Sequence, residues 1–137
     1  MIKLASLLKE IAYPLKKVEE QYDEIENELL SVTYKFSSKG EEYEVRFYSD
    51  AVGFFELAFG LSKNFDAGLD TKQMTGEEDA ANVLQTVCEA VNKFFGEYDN
   101  QIKDLEIVGT DEKRKRVYKA YMPKYIRPEY MDRIDIK

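Results

Sequence analysis

The sequence predicts an α+β domain: an N-terminal helix, a three-stranded antiparallel meander, a long helix packed on the sheet, a short strand and a C-terminal helix. Three observations carry this. Apolar residues recur at helical spacing up to Leu29, a period of two takes over between Val32 and Phe59, and a capping box then opens a long stretch with a broad apolar stripe.

In the first element Leu4, Leu7, Leu8, Ile11 and Ala12 fall at i, i+3, i+4, i+7 and i+8, one face of an amphipathic helix that Pro14 ends or kinks. A second helical stretch is predicted over Leu15–Leu29, with Val18, Tyr22, Ile25 and Leu29 on one face and Glu19, Glu20, Asp23, Glu24, Glu26 and Glu28 on the other. That acidic side is either a solvated face or a docking surface.

Val32–Phe36 and Tyr43–Tyr48 then alternate apolar and polar residues rich in β-branched and aromatic types, which fits strands buried on one face. Ser37-Ser38-Lys39-Gly40-Glu41 reads as the hairpin turn between them, and Phe54–Phe59 as a third strand. Residues 64–73 are polar and read as a loop. Thr75-Gly76-Glu77-Glu78 is a capping box, in which the Thr hydroxyl and the Glu carboxylate each satisfy a backbone amide of the first turn. It opens a helix over Glu77–Tyr98, whose stripe of Ala80, Val83, Leu84, Val87, Val91, Phe94 and Phe95 packs across the sheet. Leu105–Gly109 reads as a strand. Glu112–Ile126 reads as a last helix with Val117, Tyr118, Tyr121, Met122 and Tyr125 inward despite Pro123, and Arg133–Ile136 as an edge strand. The 137 residues make one domain, with residues 1–29 a separable helical arm.

Charge narrows the partners. The chain carries 27 Asp and Glu against 20 Lys and Arg, a net charge of −7, and so disfavours nucleic acid and anionic membrane, which need clustered cations. No stretch reaches the ~20 apolar residues of a membrane span, and the first residues lack the small-x-small cleavage site of a secretory signal. With one cysteine, Cys88, there is no internal disulfide, in keeping with a reducing compartment.

Catalytic chemistry finds little to use. There is no histidine, which removes the commonest general base and every Ser–His or Cys–His pair. Cys88 sits in the apolar stripe of the long helix, where a thiol acts as a small hydrophobe. Neither GxxxxGK[ST] nor GxGxxG occurs. Asp66-Ala67-Gly68-Leu69-Asp70 lacks the ligand spacing and terminal Glu of a calcium loop. The expectation is a protein without catalytic residues, cofactor or metal.

Three surface features stand out instead. Lys113-Arg114-Lys115-Arg116, with Lys119, is a basic cluster at a helix start, where cations oppose the helix dipole; it is either solvated or a contact for an acidic partner or phosphate. Tyr118, Tyr121, Tyr125 and Tyr130 supply large amphipathic area, suited to half-burial over a sheet or to an interface. The stripe of Leu4, Leu7, Leu8 and Ile11 packs on its own sheet or in a partner groove. The candidate interaction surface is accordingly Leu4, Leu7, Leu8, Ile11, Lys113, Arg114, Arg116, Tyr118, Tyr121 and Tyr125.

Met74-Thr75-Gly76-Glu77-Glu78-Asp79-Ala80-Ala81-Asn82-Val83-Leu84-Gln85-Thr86-Val87, followed by Phe94, Ile102–Gly109 and Arg114-Lys115-Arg116-Val117-Tyr118, resembles a group of small uncharacterised proteins of large tailed bacteriophages. Those carry a Thr-Gly-x-x-Asp-Ala helix, a short strand and an Arg-x-x-x-Tyr helix; the opening residues Met1–Ile11 are similar to theirs too. Related chains often follow the strand with a Ser-Arg pair, and here Glu112-Lys113-Arg114 takes its place. The resemblance implies a viral origin and an α+β fold, and no reaction. Leu8-Lys9-Glu10 also fits the Leu-x-Glu sites cut by phage prohead proteases. The helix–strand–helix order is similar to the back half of a GNAT-type acetyltransferase, but the pyrophosphate loop of that fold is missing, and fold analogy does not carry function. The expected role is that of a phage-encoded, non-catalytic protein acting by protein–protein contact, as a minor virion component in the particle or host cytoplasm and open to homo-oligomerisation. The alternative is a soluble inhibitor of a host system that uses Glu19, Glu20, Glu24 and Glu28 as a decoy for a basic surface.

Overall fold

The computed structural model describes residues 13–62, 77–108 and 112–137. Six strands form one sheet in chain order: β1 (Lys16–Tyr22), β2 (Leu29–Ser38), β3 (Glu41–Ala51), β4 (Phe54–Leu61), β5 (Asp104–Ile107) and β6 (Ile134–Ile136). The first four pair antiparallel, while β4–β5 and β5–β6 pair parallel. Parallel neighbours need a crossover. Here α1 (Glu77–Tyr98) lies between β4 and β5 in the chain, and α2 (Glu112–Tyr125) with the single turn α3 (Pro128–Met131) lies between β5 and β6.

The core lies between the sheet and α1. Val32, Tyr34 and Phe36 on β2, Tyr43, Val45 and Phe47 on β3, and Phe55, Leu57 and Leu61 on β4 are buried against Val83, Val87, Val91, Phe94 and Phe95. Phe94 sits at its centre, stacked on Phe47 with centroids 4.1 Å apart and edge-on to Phe55 at 5.2 Å. The stripe read in the sequence is thus the buried face of α1. Cys88 belongs to it, and burial pushes its thiol up to about 12, so it is protonated at neutral pH. Asn92 ties α1 to the chain beyond α2: its amide donates to the Tyr125 carbonyl at 3.0 Å and accepts from the Arg127 amide at 2.9 Å.

Two expectations are overturned. The sheet is a six-stranded mixed one with three helices, not a three-stranded meander, because the short apolar runs at 104–107 and 134–136 join the meander beside β4. The stretch Leu15–Leu29 is not a helix. It is β1 followed by a turn over 23–28, so the described part of the N-terminal arm belongs to the sheet. The physical reason is that all seven β1 residues are exposed and the strand is held by backbone pairing to β2. No buried face disciplines its side chains, so the spacing of Val18, Tyr22, Ile25 and Leu29 mimics a helix without forming one. The predicted helix of Leu4, Leu7, Leu8 and Ile11, the Leu8-Lys9-Glu10 site, the loop over 64–73 and the Thr75 cap lie outside the described residues. The β2–β3 turn is tighter than read: Lys39 (φ 50°) and Gly40 (φ 79°) both adopt the positive φ of a two-residue hairpin loop.

Candidate functional site

Pairing between the strands breaks step at three residues, and two of them meet at one end of the sheet. The β1–β2 register passes from Gln21↔Ser31 to Tyr22↔Leu29, leaving Leu30 unpaired, and the β3–β4 register passes from Ser49↔Phe55 to Ala51↔Phe54, leaving Asp50 unpaired. The third is Val18 on β1. Such bulges re-aim side chains, and natural sheets place them at edges and beside binding sites. Leu30 and Asp50 both line a cleft of about 410 Å3, together with Glu28, Leu29, Ser49, Ala51, Val52, Gly53, Asn100, Gln101 and Lys103.

The loops around the cleft are fixed by their own hydrogen bonds. In the 23–28 turn the Asp23 carboxylate accepts from the amides of Ile25 and Glu26, both at 3.3 Å, and Asn27 takes a left-handed φ of 57°. The Asp23 amide donates to the Glu28 carbonyl at 2.8 Å and closes the loop. Ile25 is thereby held at the apex with 91% of its surface exposed. Across the cleft, Gly53 (φ 83°) turns β3 into β4, and its carbonyl accepts from the amides of Lys103 at 2.7 Å and Asp104 at 3.1 Å. Val52 and Phe54 flank that glycine and are exposed at 57% and 48%. The end of the sheet therefore presents four apolar side chains, Ile25, Leu30, Val52 and Phe54, on an ordered frame. Glu28 and Asp50 line the cleft with Leu30 and Val52, Glu24 and Glu26 lie in the 23–28 turn, and none of the four has an ion-pair partner among the described residues.

Two ionic clusters elsewhere are paired. Lys17 bridges β1 to α1, its ammonium donating to Glu97, to Tyr98 Oη at 2.9 Å and to Glu20 at 3.3 Å, while the Tyr98 hydroxyl donates to Glu20. The Glu97 hydrogen bond and then that of Tyr98 raise Lys17 above the ordinary lysine range, and the Tyr98 hydrogen bond holds Glu20 below the ordinary carboxylate range. Burial and the Glu20 hydrogen bond raise Tyr98. Behind this cluster the Tyr34 hydroxyl is buried without a hydrogen-bond partner, and burial pushes it up to about 12.

The sheet face away from α1 carries a second ionic set. Glu44, 3% exposed, bonds the Arg46 guanidinium at 2.5 Å and faces the Lys35 ammonium at 3.9 Å. Beside it the Tyr48 hydroxyl donates to Glu56 at 2.6 Å, and burial with that hydrogen bond pushes Tyr48 up to about 12. Both sets hold strands and helix together with their charges satisfied. The hairpin end joins exposed apolar area to carboxylates without an ion-pair partner among the described residues.

The sequence profile of one family matches residues 18–136, from β1 to the end of β6. The chain belongs to DUF6934, a family of unknown function. No curated protein and no solved structure matches it. Because the DUF6934 match covers every strand and all three helices, it takes in the hairpin end as well as the core. The match carries no activity and says nothing of bacteriophages.

In this DUF6934 chain the sequence-predicted surface does not converge. Leu4, Leu7, Leu8 and Ile11 lie outside the described residues. On α2, Lys113 and Arg116 are exposed and Arg114 is half-buried. Tyr118 is a core residue packed near Phe59 at 6.0 Å, Tyr125 is half-buried against the core, and Tyr121 is exposed with the Lys124 ammonium 4.9 Å from its ring. Val117, read as inward, is exposed at 37%. Tyr130 stacks on Phe95 at 4.9 Å. Of the acidic residues weighed for docking, Glu20 is absorbed by Lys17 and Tyr98, Glu28 lines the cleft, and Glu24 lies in the turn before it. Sequence reading placed Ile25 on a helix face and passed over Leu30, Asp50 and Val52. The available signal was an isoleucine between acids, followed by the turn-forming Asn27, and a Val-Gly pair between two strands. Among the described residues no three His, Cys, Asp or Glu side chains group to hold a metal, and no helix is long and apolar enough to cross a membrane.

Proposed function

We propose that this chain is a non-catalytic module that works by protein–protein contact and docks its partner on the hairpin end of the sheet. The observation that carries this is the set of Ile25, Leu30, Val52 and Phe54, apolar side chains held in solvent by hydrogen-bonded turns and by a bulge instead of being folded inward. Exposed apolar residues scattered singly are ordinary; here Leu30 and Val52 line one cleft and Ile25 and Phe54 stand on the turn and strand beside it, which is the pattern of an interface core. Preorganised loops also lose little entropy on binding.

The test compares wild type with Ile25→Ser/Val52→Ser as affinity baits in the cells that make the protein, with captured proteins identified and their contacts mapped by cross-linking. The expected outcome is an identified partner that cross-links beside the cleft and is lost from the variant, with the circular dichroism of both baits unchanged. A partner retained by the variant places the interface elsewhere and removes this reading. The virion setting that the bacteriophage resemblance implies is a proposal of its own, tested by quantitative mass spectrometry of purified phage particles: stoichiometric presence supports it, and absence from particles despite abundance in infected cells ends it.

A further inference from the structure

We infer that the partner held at the hairpin end is a cationic segment, a stretch of chain in which Lys or Arg stands beside an apolar residue. This rests on the hairpin end being the docking face and adds the chemistry of what docks there.

The argument is one of charge complementarity around an apolar cleft. Two carboxylates, Glu28 and Asp50, line the cleft with Leu30 and Val52, Glu24 and Glu26 flank Ile25 in the adjoining turn, and none of the four has an ion-pair partner among the described residues. Lys17, Lys35 and Lys137 each lie within ion-pair distance of carboxylates, but those are Glu20, Glu97, Glu42, Glu44, Glu106 and Asp135. The cleft lining contains one cation, Lys103, whose side-chain stem lies over Gly53. With two carboxylates against one lysine the cleft is net negative, which attracts a positive partner and disfavours an acidic one, and this supplies discrimination.

Lys and Arg suit the cleft for a second reason. Their aliphatic stems cover apolar surface while the charged head stays at the water boundary. A stem lying along Leu30 and Val52 brings its head to the Glu28 and Asp50 carboxylates, with the side-chain carbonyls of Asn100 and Gln101 as further acceptors in the lining. Asp50 stands in a bulge, so it meets the cleft without taking part in the β3–β4 register. An adjacent apolar residue of the partner then meets Ile25 at the apex.

The test is selection of a random dodecapeptide display library against the full chain, followed by affinity measurements on recovered peptides by fluorescence anisotropy. Recovered peptides are expected to carry Lys or Arg next to a large apolar residue and to lose affinity as salt rises. Their binding is expected to fall about tenfold in Glu28→Gln/Asp50→Asn and to tighten about twofold in Lys103→Gln. All three substitutions are at residues outside the core, and circular dichroism confirms that the fold is kept. Recovery of neutral or acidic peptides that still require Leu30 and Val52 overturns the cationic partner and leaves the docking face standing. Recovery of no peptide that depends on Leu30 and Val52 overturns both.

Discussion

Glu20 and Glu97 face one ammonium, Lys17, in the gap between β1 and α1, whereas Glu24, Glu26, Glu28 and Asp50 stand at the hairpin end of the same sheet with no ion-pair partner among the described residues. Both regions are acidic, and they are a few residues apart on β1 and the turn it feeds. The first is closed: each carboxylate meets Lys17, Glu20 also accepts from the Tyr98 hydroxyl, and β1 is fastened to the helix as a result. The second is open: its turns are satisfied by backbone and Asp23 hydrogen bonds, and its outward side chains are left to solvent. Charge in a protein is informative about binding where the fold has not already used it. A count of carboxylates along β1 does not separate the two uses, and the position of Lys17 does.

The largest expected effect lies in the closed region. Tyr98 is 4% exposed, its ring lies 5.7 Å from that of Phe94, and its hydroxyl holds Glu20 and Lys17. Tyr98→Ala removes core packing and the cluster together and is expected to cost about 3 kcal/mol in urea unfolding. A loss under about 1 kcal/mol would show that the cluster is not what fastens β1 to α1.

The frame of the open region is the next test. Gly53 has φ 83°, and an added Cβ would come 2.8 Å from Lys103 Cγ. The lysine stem can move aside, so the backbone strain decides, and Gly53→Ala is expected to cost about 1–2 kcal/mol. Urea midpoints measure it, and peptide affinity should fall with them if this turn shapes the cleft.

A pH series tests the tyrosines behind and beside the paired clusters. Tyr34 and Tyr48 are both pushed up to about 12, whereas an unfolded tyrosine ionises near ~10. Above about pH 10 the unfolded chain sheds protons that the folded chain keeps, so their contribution to stability is whole below that pH and is lost as pH rises through about 12. Urea midpoints at pH 9, 10, 11 and 12 should fall accordingly. The fall should be shallower in Tyr34→Phe, which at neutral pH should be neutral or up to about 1 kcal/mol more stable because it deletes a buried hydroxyl without a partner. A steeper fall in that variant would reverse the assignment.

The smallest stability effect is expected where the functional effect is largest. Glu28→Gln and Asp50→Asn remove no ion pair among the described residues and should change stability by less than about 0.5 kcal/mol. A loss of 1 kcal/mol or more, again by urea unfolding, would mean that these carboxylates hold the fold, and the contrast between the two regions would disappear.

Elements that bury a face were legible in the sequence. The stripe Val83, Leu84, Val87, Val91, Phe94 and Phe95 is buried because α1 lies on the sheet, and the alternation in Val32–Phe36 and Tyr43–Tyr48 reports strands with one buried face. β1 was misread because all seven of its residues are exposed and none of its side chains enters the core. The candidate site was hidden for a related reason: Leu30 and Asp50 line the cleft where the β1–β2 and β3–β4 registers break step, and register is a relation between strands, not a property of either one.

The sequence by itself determined the period of each buried element, the acidic balance, the absence of histidine and the turn that Gly40 makes, because these follow from side-chain chemistry and local backbone preference. The tertiary structure alone decided that 104–107 and 134–136 extend the sheet in parallel, that Tyr118 is buried while Tyr121 is exposed, and that Glu20 is paired while Glu28 is not. Each of those depends on which residues distant in the chain come within hydrogen-bonding or ion-pairing reach, and only the closed sheet with its helices fixes that.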